Sequence, residues 1–337
     1  MVSKQFLLKR LLLLFPVLFG VATVVFAILH LSPGDPAVTI AGDRASQEFV
    51  NEVRRDLGLD DPLWQQYVRF LGDVVAFDFG QSYQVQRGTP VSEILVDRLP
   101  ITIELALLGE AAGLLFGLPL GILSAVKQDT WTDHLTRVGA LSGISVPIYW
   151  SGPLLILVFA QFFDMLPASG RIATEFDIQP VTGLITVDTL VRGDIAAFQS
   201  AALHLIMPAA VIGIYSMALI SRMMRSSMLE VIRQDYMRTA RAKGQGARIT
   251  LMKHGFRNAL IPVVTVIGIQ FGTLLGGAVL TETVFGIAGI GRMLVDAIQV
   301  GDYPVVQGTV LMFAFLFTLV NLLVDITYSY LDPRIEQ

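Results

Sequence analysis

The amino-acid sequence predicts an all-α integral membrane protein with six membrane-spanning helices. Three observations carry that expectation. Of 337 residues, 53% are hydrophobic and 15% charged, whereas a soluble domain carries roughly 25% charged residues; the mean hydropathy is +0.64. Six apolar stretches are long enough, or nearly so, to cross a bilayer, which takes roughly 20 residues for about 30 Å of hydrocarbon. The basic residues are distributed unevenly among the segments between them.

The stretches are Leu11–Leu31, Ile101–Val126, Val138–Phe163, Leu205–Ser221, Ala259–Leu280 and Val305–Val324. The last four contain no Asp, Glu, Lys or Arg. The runs are continuously apolar, whereas barrel strands alternate and are short, so helices are expected. Lys4, Lys9 and Arg10 precede the first run. That run is too long for the core of a secretory signal, and Ser32-Pro33-Gly34-Asp35-Pro36, not a small-residue cleavage site, follows it. It is read as a retained first span.

Six crossings place both ends on one side, and charge selects the side. The segment Arg222–Arg257 holds nine Lys/Arg against Glu230 and Asp235. The segment Ser32–Pro100 has six Arg and eleven acidic residues, and Asp164–Ala201 two Arg and five acidic. Both termini are therefore expected in the cytoplasm, and these two segments outside. The expected organisation is a first span over 1–31, an external segment over 32–100, a core of five spans over 101–330 and a cytoplasmic tail over 331–337. Within 32–100, Leu57, Leu59, Leu63, Tyr67, Phe70 and Leu71 suggest one or two short surface helices, the second starting at Pro62.

Between spans four and five, Tyr236 to Lys243 has strong helix formers with no Pro or Gly, and Gly244 is a natural stop. Arg241 and Lys243 suit the negative end of its dipole. Ala240 and Gly244, four apart, are expected to share a small-residue face open to close approach. Such a short basic helix, near 236–248, suits docking into a groove of a cytoplasmic partner. It also suits a basic loop resting on anionic headgroups; the residues alone leave both open.

The segment Asp235-Tyr236-Met237-Arg238-Thr239-Ala240-Arg241-Ala242-Lys243-Gly244, with His254 and Arg257-Asn258-Ala259-Leu260-Ile261-Pro262, resembles the coupling loop of bacterial ABC importer permeases in its peptide/nickel family variant. The resemblance runs along nearly the whole chain. It includes Pro33-Gly34-Asp35-Pro36, Leu57-Gly58-Leu59-Asp60, Gln65-Gln66-Tyr67 and Asp78-Phe79-Gly80-Gln81-Ser82. It continues through Arg225-Ser226-Ser227, Glu282-Thr283-Val284-Phe285, Gly289-Ile290-Gly291, Asp302-Tyr303-Pro304 and Asp332-Pro333-Arg334. Thr182-Gly183, Asp188-Thr189 and Gly193 look like the dipeptide permease branch. Arg238-Thr239-Ala240 stand where the general importer pattern has Glu-Ala-Ala, and Arg257 stands where it has Pro, which puts in doubt any contact ascribed to that Glu.

The resemblance implies the type I ABC importer permease fold in the bacterial inner membrane, and a non-catalytic role in importing dipeptides or short peptides. Other small solutes of the same machinery are the alternative: oligopeptides, glutathione or nickel chelates. It implies a paralogous permease as the other half of the pore, two cytoplasmic ATPases and an external substrate-binding protein. Tyr236, Arg238, Thr239, Ala240, Arg241, Lys243 and Gly244 would couple to the ATPases. The chain has no Gly-Lys dipeptide, hence no P-loop lysine motif, so ATP and Mg are expected on the partner ATPases, with no cofactor or metal here. Partners also include membrane lipid and exclude nucleic acid, since net charge is −4.

Single residues leave more than one reading. Glu110 lies well inside the second span, with Glu104 nearer its end. Intramembrane carboxylates are costly; Glu110 is a candidate for the translocation path, for a hydrogen-bonded helix contact, or for a neutral carboxyl facing lipid. Tyr149 and Trp150, bracketed by Pro147 and Pro153, suit packing of the third span or a gate. Gly268, Gly272, Gly276 and Gly277 suit close helix contact or a hinge. Gly286-Ile287-Ala288-Gly289-Ile290-Gly291 superficially resembles a phosphate loop but is expected as a tight external turn. A secondary transporter would show repeated halves, and none are evident. An intramembrane hydrolase would need a nucleophile–base pair; there is no Cys, and the four His lie near span ends or in loops.

Overall fold

The computed structural model describes residues 4–31, 35–42 and 45–331. Pro33-Gly34 and Asp332-Pro333-Arg334, with the expected tail after 331, lie outside the described residues. The described residues form fourteen α-helices and two π-helical segments, with no strand beyond an isolated bridge between Gln81 and Pro90.

Helix α1 (Lys4–Leu31) is the first span, and α2 (Pro36–Ala41), α3 (Gln47–Asp56) and α4 (Leu63–Val75) follow outside the apolar runs. Pro62 stands at the N-cap of α4, as expected. Ala37, Ile40, Ala41, Val50 and Val53 make a small core of their own beneath α2 and α3, joined by Tyr83 and Tyr303. Helix α5 (Val91–Val126) begins well before the apolar run at Ile101, and α9 (Ile195–Ile232) overshoots its run at both ends. At 1.5 Å per residue these 36- and 38-residue helices are about 54 and 57 Å long, so both project beyond the roughly 30 Å hydrocarbon layer.

The third apolar stretch is not the single helix expected over Val138–Phe163. Helix α6 (Trp131–Ser145) ends at Val146, and α7 (Ile148–Leu155) starts after Pro147 and runs into a π-helical segment, Ile156–Phe162. The second limb is bent by 107° from the first. Proline cannot donate to the turn before it and pushes Val146 into extended backbone (ψ 118). Five continuous helices are long and apolar enough to span, and this bent pair makes a sixth.

Packing register shows that the bent pair crosses. A Cβ on Gly109 would meet Ile212, on Gly113 Ser216, on Gly117 Ile220 and on Gly121 Met224. Both helices advance in the same direction, so α5 and α9 are parallel. The chain leaves α5 at one end and enters α9 at the other, and the bent pair carries it back. Helix α12 (Arg257–Val284) lies antiparallel to α14 (Tyr303–Leu331), with Gly268 against Val324 and Gly272 against Phe317. Arg10 pairs with Asp325 at 2.9 Å, so α1 starts at the end where α14 finishes. α12 also packs on α5 and α9, and α6 on α9.

At the opposite end, short elements are tied to the spans by buried carboxylates. Glu104 pairs with Arg171 at 2.7 Å and accepts from Thr186 N and Oγ1 at 2.8 and 2.7 Å, fastening α8 (Ile185–Val191) to α5. Asp188 accepts from Thr182 N and Oγ1, Val181 N and Gly183 N. Burial would raise its pKa, but these donors outweigh it and hold the carboxyl below its usual range. Asp302 Oδ2 accepts from Ser82 Oγ at 2.6 Å and from Gln84 N and Val85 N at 2.9 Å each. Gln84 in turn donates to the carbonyls of Ile40 and Ala41.

Candidate functional site

The basic segment between the fourth and fifth spans forms helix α10 (Asp235–Ala242). Two residues, Arg233 and Gln234, separate it from α9. Asp235 stands in its first turn and Arg241 in its last, both complementing the helix dipole. Gly244 adopts φ +79, where glycine is favoured, and closes the helix: its N–H donates to Arg241 O at 2.9 Å, and Gln245 N–H to Ala240 O. Gly244 therefore lies past the helix end, so it does not share a helical face with Ala240 as the four-residue spacing suggested.

One side chain seats this helix. Met237 is fully buried, while Tyr236, Arg238, Thr239, Arg241, Lys243 and Gly244 are exposed and Ala240 is half-buried. Met237 and Met228 of α9 both approach Gly255. That glycine lies in the π-helical segment Thr250–Phe256, which follows the single turn α11 (Ala247–Ile249) and leads into α12. Burial pushes the Tyr236 phenol up, partly offset by the neighbouring Asn258 side chain. His254 Nε2 and Gln245 Oε1 are 3.0 Å apart, tying down the segment after the helix. Ile249 and Met252 stay exposed beside it. The outcome is a protruding basic element with open side chains and backbone held at both ends.

Behind it the spans are rigidly joined. Arg225 of α9 donates from Nε and Nη2 to the two oxygens of Asp133 on α6, at 2.8 and 2.7 Å. Ser124 Oγ at the end of α5 and Asp129 N–H complete the carboxylate's partners. Asp133 is fully buried. Three helices therefore meet on one carboxylate, about two turns before the end of α9.

Glu110 is buried in the α5–α9 contact, with Oε2 accepting from Ser216 Oγ at 2.7 Å and Oε1 without a partner. Tyr149 sits just after the break in the third span and is 61% exposed. The structure does not bring these two to α10. No group of three or more His, Asp or Glu suited to a metal occurs among the described residues.

Several connections have no counterpart in the sequence patterns. Glu282 is buried at the end of α12: Thr102 Oγ1 and Arg292 N–H donate to its two oxygens at 2.5 and 2.8 Å. It thus caps the N-terminus of α13 (Ile290–Val300), a helix the apolar runs did not announce. Any Cβ on Gly289 or Gly291 would strike Glu282 or Val279. The Gly-rich run is therefore a seat for a carboxylate side chain. Asp133–Arg225 and Asp302–Ser82 pair residues far apart in sequence, and no local signal marks them. The Gly109/Gly113/Gly117/Gly121 stripe, by contrast, is legible as a four-residue period.

Comparison with known proteins agrees with this architecture. Residues 117–337 match the family described as binding-protein-dependent transport system inner membrane component, and residues 3–106 match the N-terminal region of such membrane components. The dipeptide transport system permease protein DppB of Alkalihalophilus pseudofirmus is 45% identical over 329 residues, covering 98% of each chain. That of Escherichia coli K12 is 46% identical over 337 residues with the same coverage. The di/tripeptide transport system permease protein DppB of Pseudomonas aeruginosa is 44% identical over 333 residues, again with 98% of each chain. A chain of the MetNI methionine ABC transporter, solved in inward-facing conformations, shares the fold with TM-score 0.52 at 16% identity, over 71% of this chain and 97% of that one.

Proposed function

The chain belongs to the binding-protein-dependent transport system inner membrane component family, and on that premise we propose that it forms half of the pore of an ATP-driven importer of dipeptides and other short peptides. The observation that carries the reading is α10: an exposed basic helix, seated by Met237, at the end of a span locked to its neighbours. The peptide substrate is suggested by the names of relatives that match over the chain's whole length.

In this reading α10 faces the cytoplasm, where the basic residues concentrate. Two ATPases there bind ATP and Mg, and each receives a docking helix from one permease. A paralogous permease supplies the second half of the pore, and an external binding protein delivers peptide to the end built from α2–α4, α8 and α13. This chain performs no covalent chemistry. Closure of the ATPase pair displaces α10, and α9 conveys the displacement to α5 through the glycine contacts and to α6 through Asp133. Tyr236, Arg238, Thr239, Arg241 and Lys243 present the side chains a partner groove would meet.

The test is Gly244→Trp in the complete importer reconstituted in vesicles. A bulky residue at φ +79 strains the cap and crowds the docking face, while no neighbour within 4 Å resists it inside this chain. The complex is expected to insert normally, with dipeptide uptake reduced at least about tenfold relative to ATP hydrolysis. Uptake equal to that of the parent would sink the proposal. Uptake of glutathione or a nickel chelate in place of dipeptide would retain the machinery and replace the substrate.

A further inference from the structure

A crevice of about 290 Å³ opens between α6 and α9, with no residue of α10 in its lining. Its polar lining is Arg137, Arg222, Arg225, Thr136 and Ser226, with Ser124 and Ser221 behind. No acidic side chain lines it. Arg225 is neutralised by Asp133, but Arg137 and Arg222 make no ion pair or hydrogen bond among the described residues. Two unpaired guanidinium groups therefore share one recess, which ordinary surface placement would separate by mutual repulsion.

The rest of the recess is apolar. Leu141 and Ile144 form its wall. Leu135, Val138 and Leu141 continue along the outer face of α6 at helical spacing, each more than half exposed. Trp131, 80% exposed, opens α6, and an exposed tryptophan at a span end marks the headgroup level. Arg137 follows less than two turns later, about 9 Å along the axis. The geometry is a cationic recess just below the headgroup plane with a hydrocarbon ridge leading into the bilayer.

We propose that the crevice between α6 and α9 binds the phosphate of an anionic phospholipid, with Arg137 and Arg222 holding the headgroup and the Leu135–Val138–Leu141 ridge supporting an acyl chain. The guanidinium fork matches phosphate oxygens in pairs, and the hydroxyl of Ser226 adds a donor. A soluble phosphate would satisfy the arginines but leave the ridge unused, so the combination favours lipid. By the orientation proposed above, the lipid belongs to the cytoplasmic leaflet. Occupancy would splint α6 to α9 beside the Asp133–Arg225 contact.

The experiment uses the complete importer in nanodiscs of phosphatidylcholine containing a minor fraction of phosphatidylglycerol. Native mass spectrometry reads the phosphatidylglycerol retained per complex. The parent complex is expected to retain it selectively. The Arg137→Gln/Arg222→Gln pair should bind it about twenty-five-fold more weakly, since removing each guanidinium from beside an anionic headgroup weakens binding about fivefold. Lys9→Gln/Lys127→Gln, which removes two basic residues elsewhere, should change retention little. Equal retention by the arginine pair, or equal loss from the lysine pair, would overturn the proposal. Displacement by millimolar glycerol 3-phosphate would put a soluble phosphate in the recess and overturn the lipid assignment. The measurement does not require transport, so it stands apart from the test with Gly244→Trp.

Discussion

Asp133 shows how much one side chain organises. Its carboxylate is fully buried and takes two hydrogen bonds from Arg225, one from Ser124 and one from a backbone N–H. Such a pair need not stabilise relative to a well-packed apolar substitute, but removing one member strands the other. Asp133→Ala should therefore cost about 3 kcal/mol, because the remaining Arg225 is largely enclosed, with 22% of its side chain exposed. A thermal melt of the purified complex checks this, and Arg225→Met on top of Asp133→Ala should recover part of the loss. The sequence offered no hint of the pair. Asp133 is one acid among several near span ends, and its partner lies 92 residues away. Glu110 was conspicuous because an acid inside an apolar run stands out. What the run could not say is that Ser216 waits on the facing helix.

Elements were legible where hydrophobicity alone defines them. The five continuous spans follow from apolar runs, although α5 and α9 outgrow those runs because Val91, Ile94 and Leu95 of α5 are buried against protein and Asp194 caps α9. The broken span was not legible in this way. Pro147 was visible, but whether a proline kinks a helix or divides it depends on what surrounds the freed backbone. Helix α13 was hidden because its N-terminal cap comes from Glu282 on another element. Glycines tell the same story. Gly268, Gly272 and Gly276 look alike in sequence, yet a Cβ on Gly268 would overlap Val324, while one on Gly276 would meet nothing within 4 Å. Gly276→Ala should then be neutral or stabilise by up to about 1 kcal/mol. Gly113→Leu should force α5 away from Ser216 and cost about 1–3 kcal/mol. Parallel thermal melts of the two variants test the contrast, and equal effects would contradict the packing described.

At the scale of the whole molecule, α5 and α9 behave as one parallel pair joined from Gly109–Ile212 down to Gly121–Met224. Transport then requires the pair to move as a body, with rearrangement placed elsewhere, for example at the 107° break. The chain has no cysteine, which permits site-specific spin labels. Labels replacing Phe116 and Ile214, both on the open flank of the pair, should keep one distance distribution in nucleotide-free and ATP-trapped complexes. A shift between the two states would show that α5 and α9 part during transport. The family and the helix α10 were readable from short motifs, because the loop's residues sit together in sequence. The axes of motion were not, because they depend on which helices run parallel, and direction is set by the number of crossings.

The thioether seat under α10 has a mechanical consequence. Met237 and Met228 both approach the bare backbone of Gly255, so no hydrogen bond or charge fixes the angle at this point. Thioether chains re-pack among several rotamers at little cost, which makes the contact behave as a lubricated bearing. Compression passes through it, because close-packed atoms resist overlap, whereas torque dissipates in side-chain rotation. A partner that approaches slightly askew would still deliver its stroke along α9, and alignment error would be filtered out before it reached the pore.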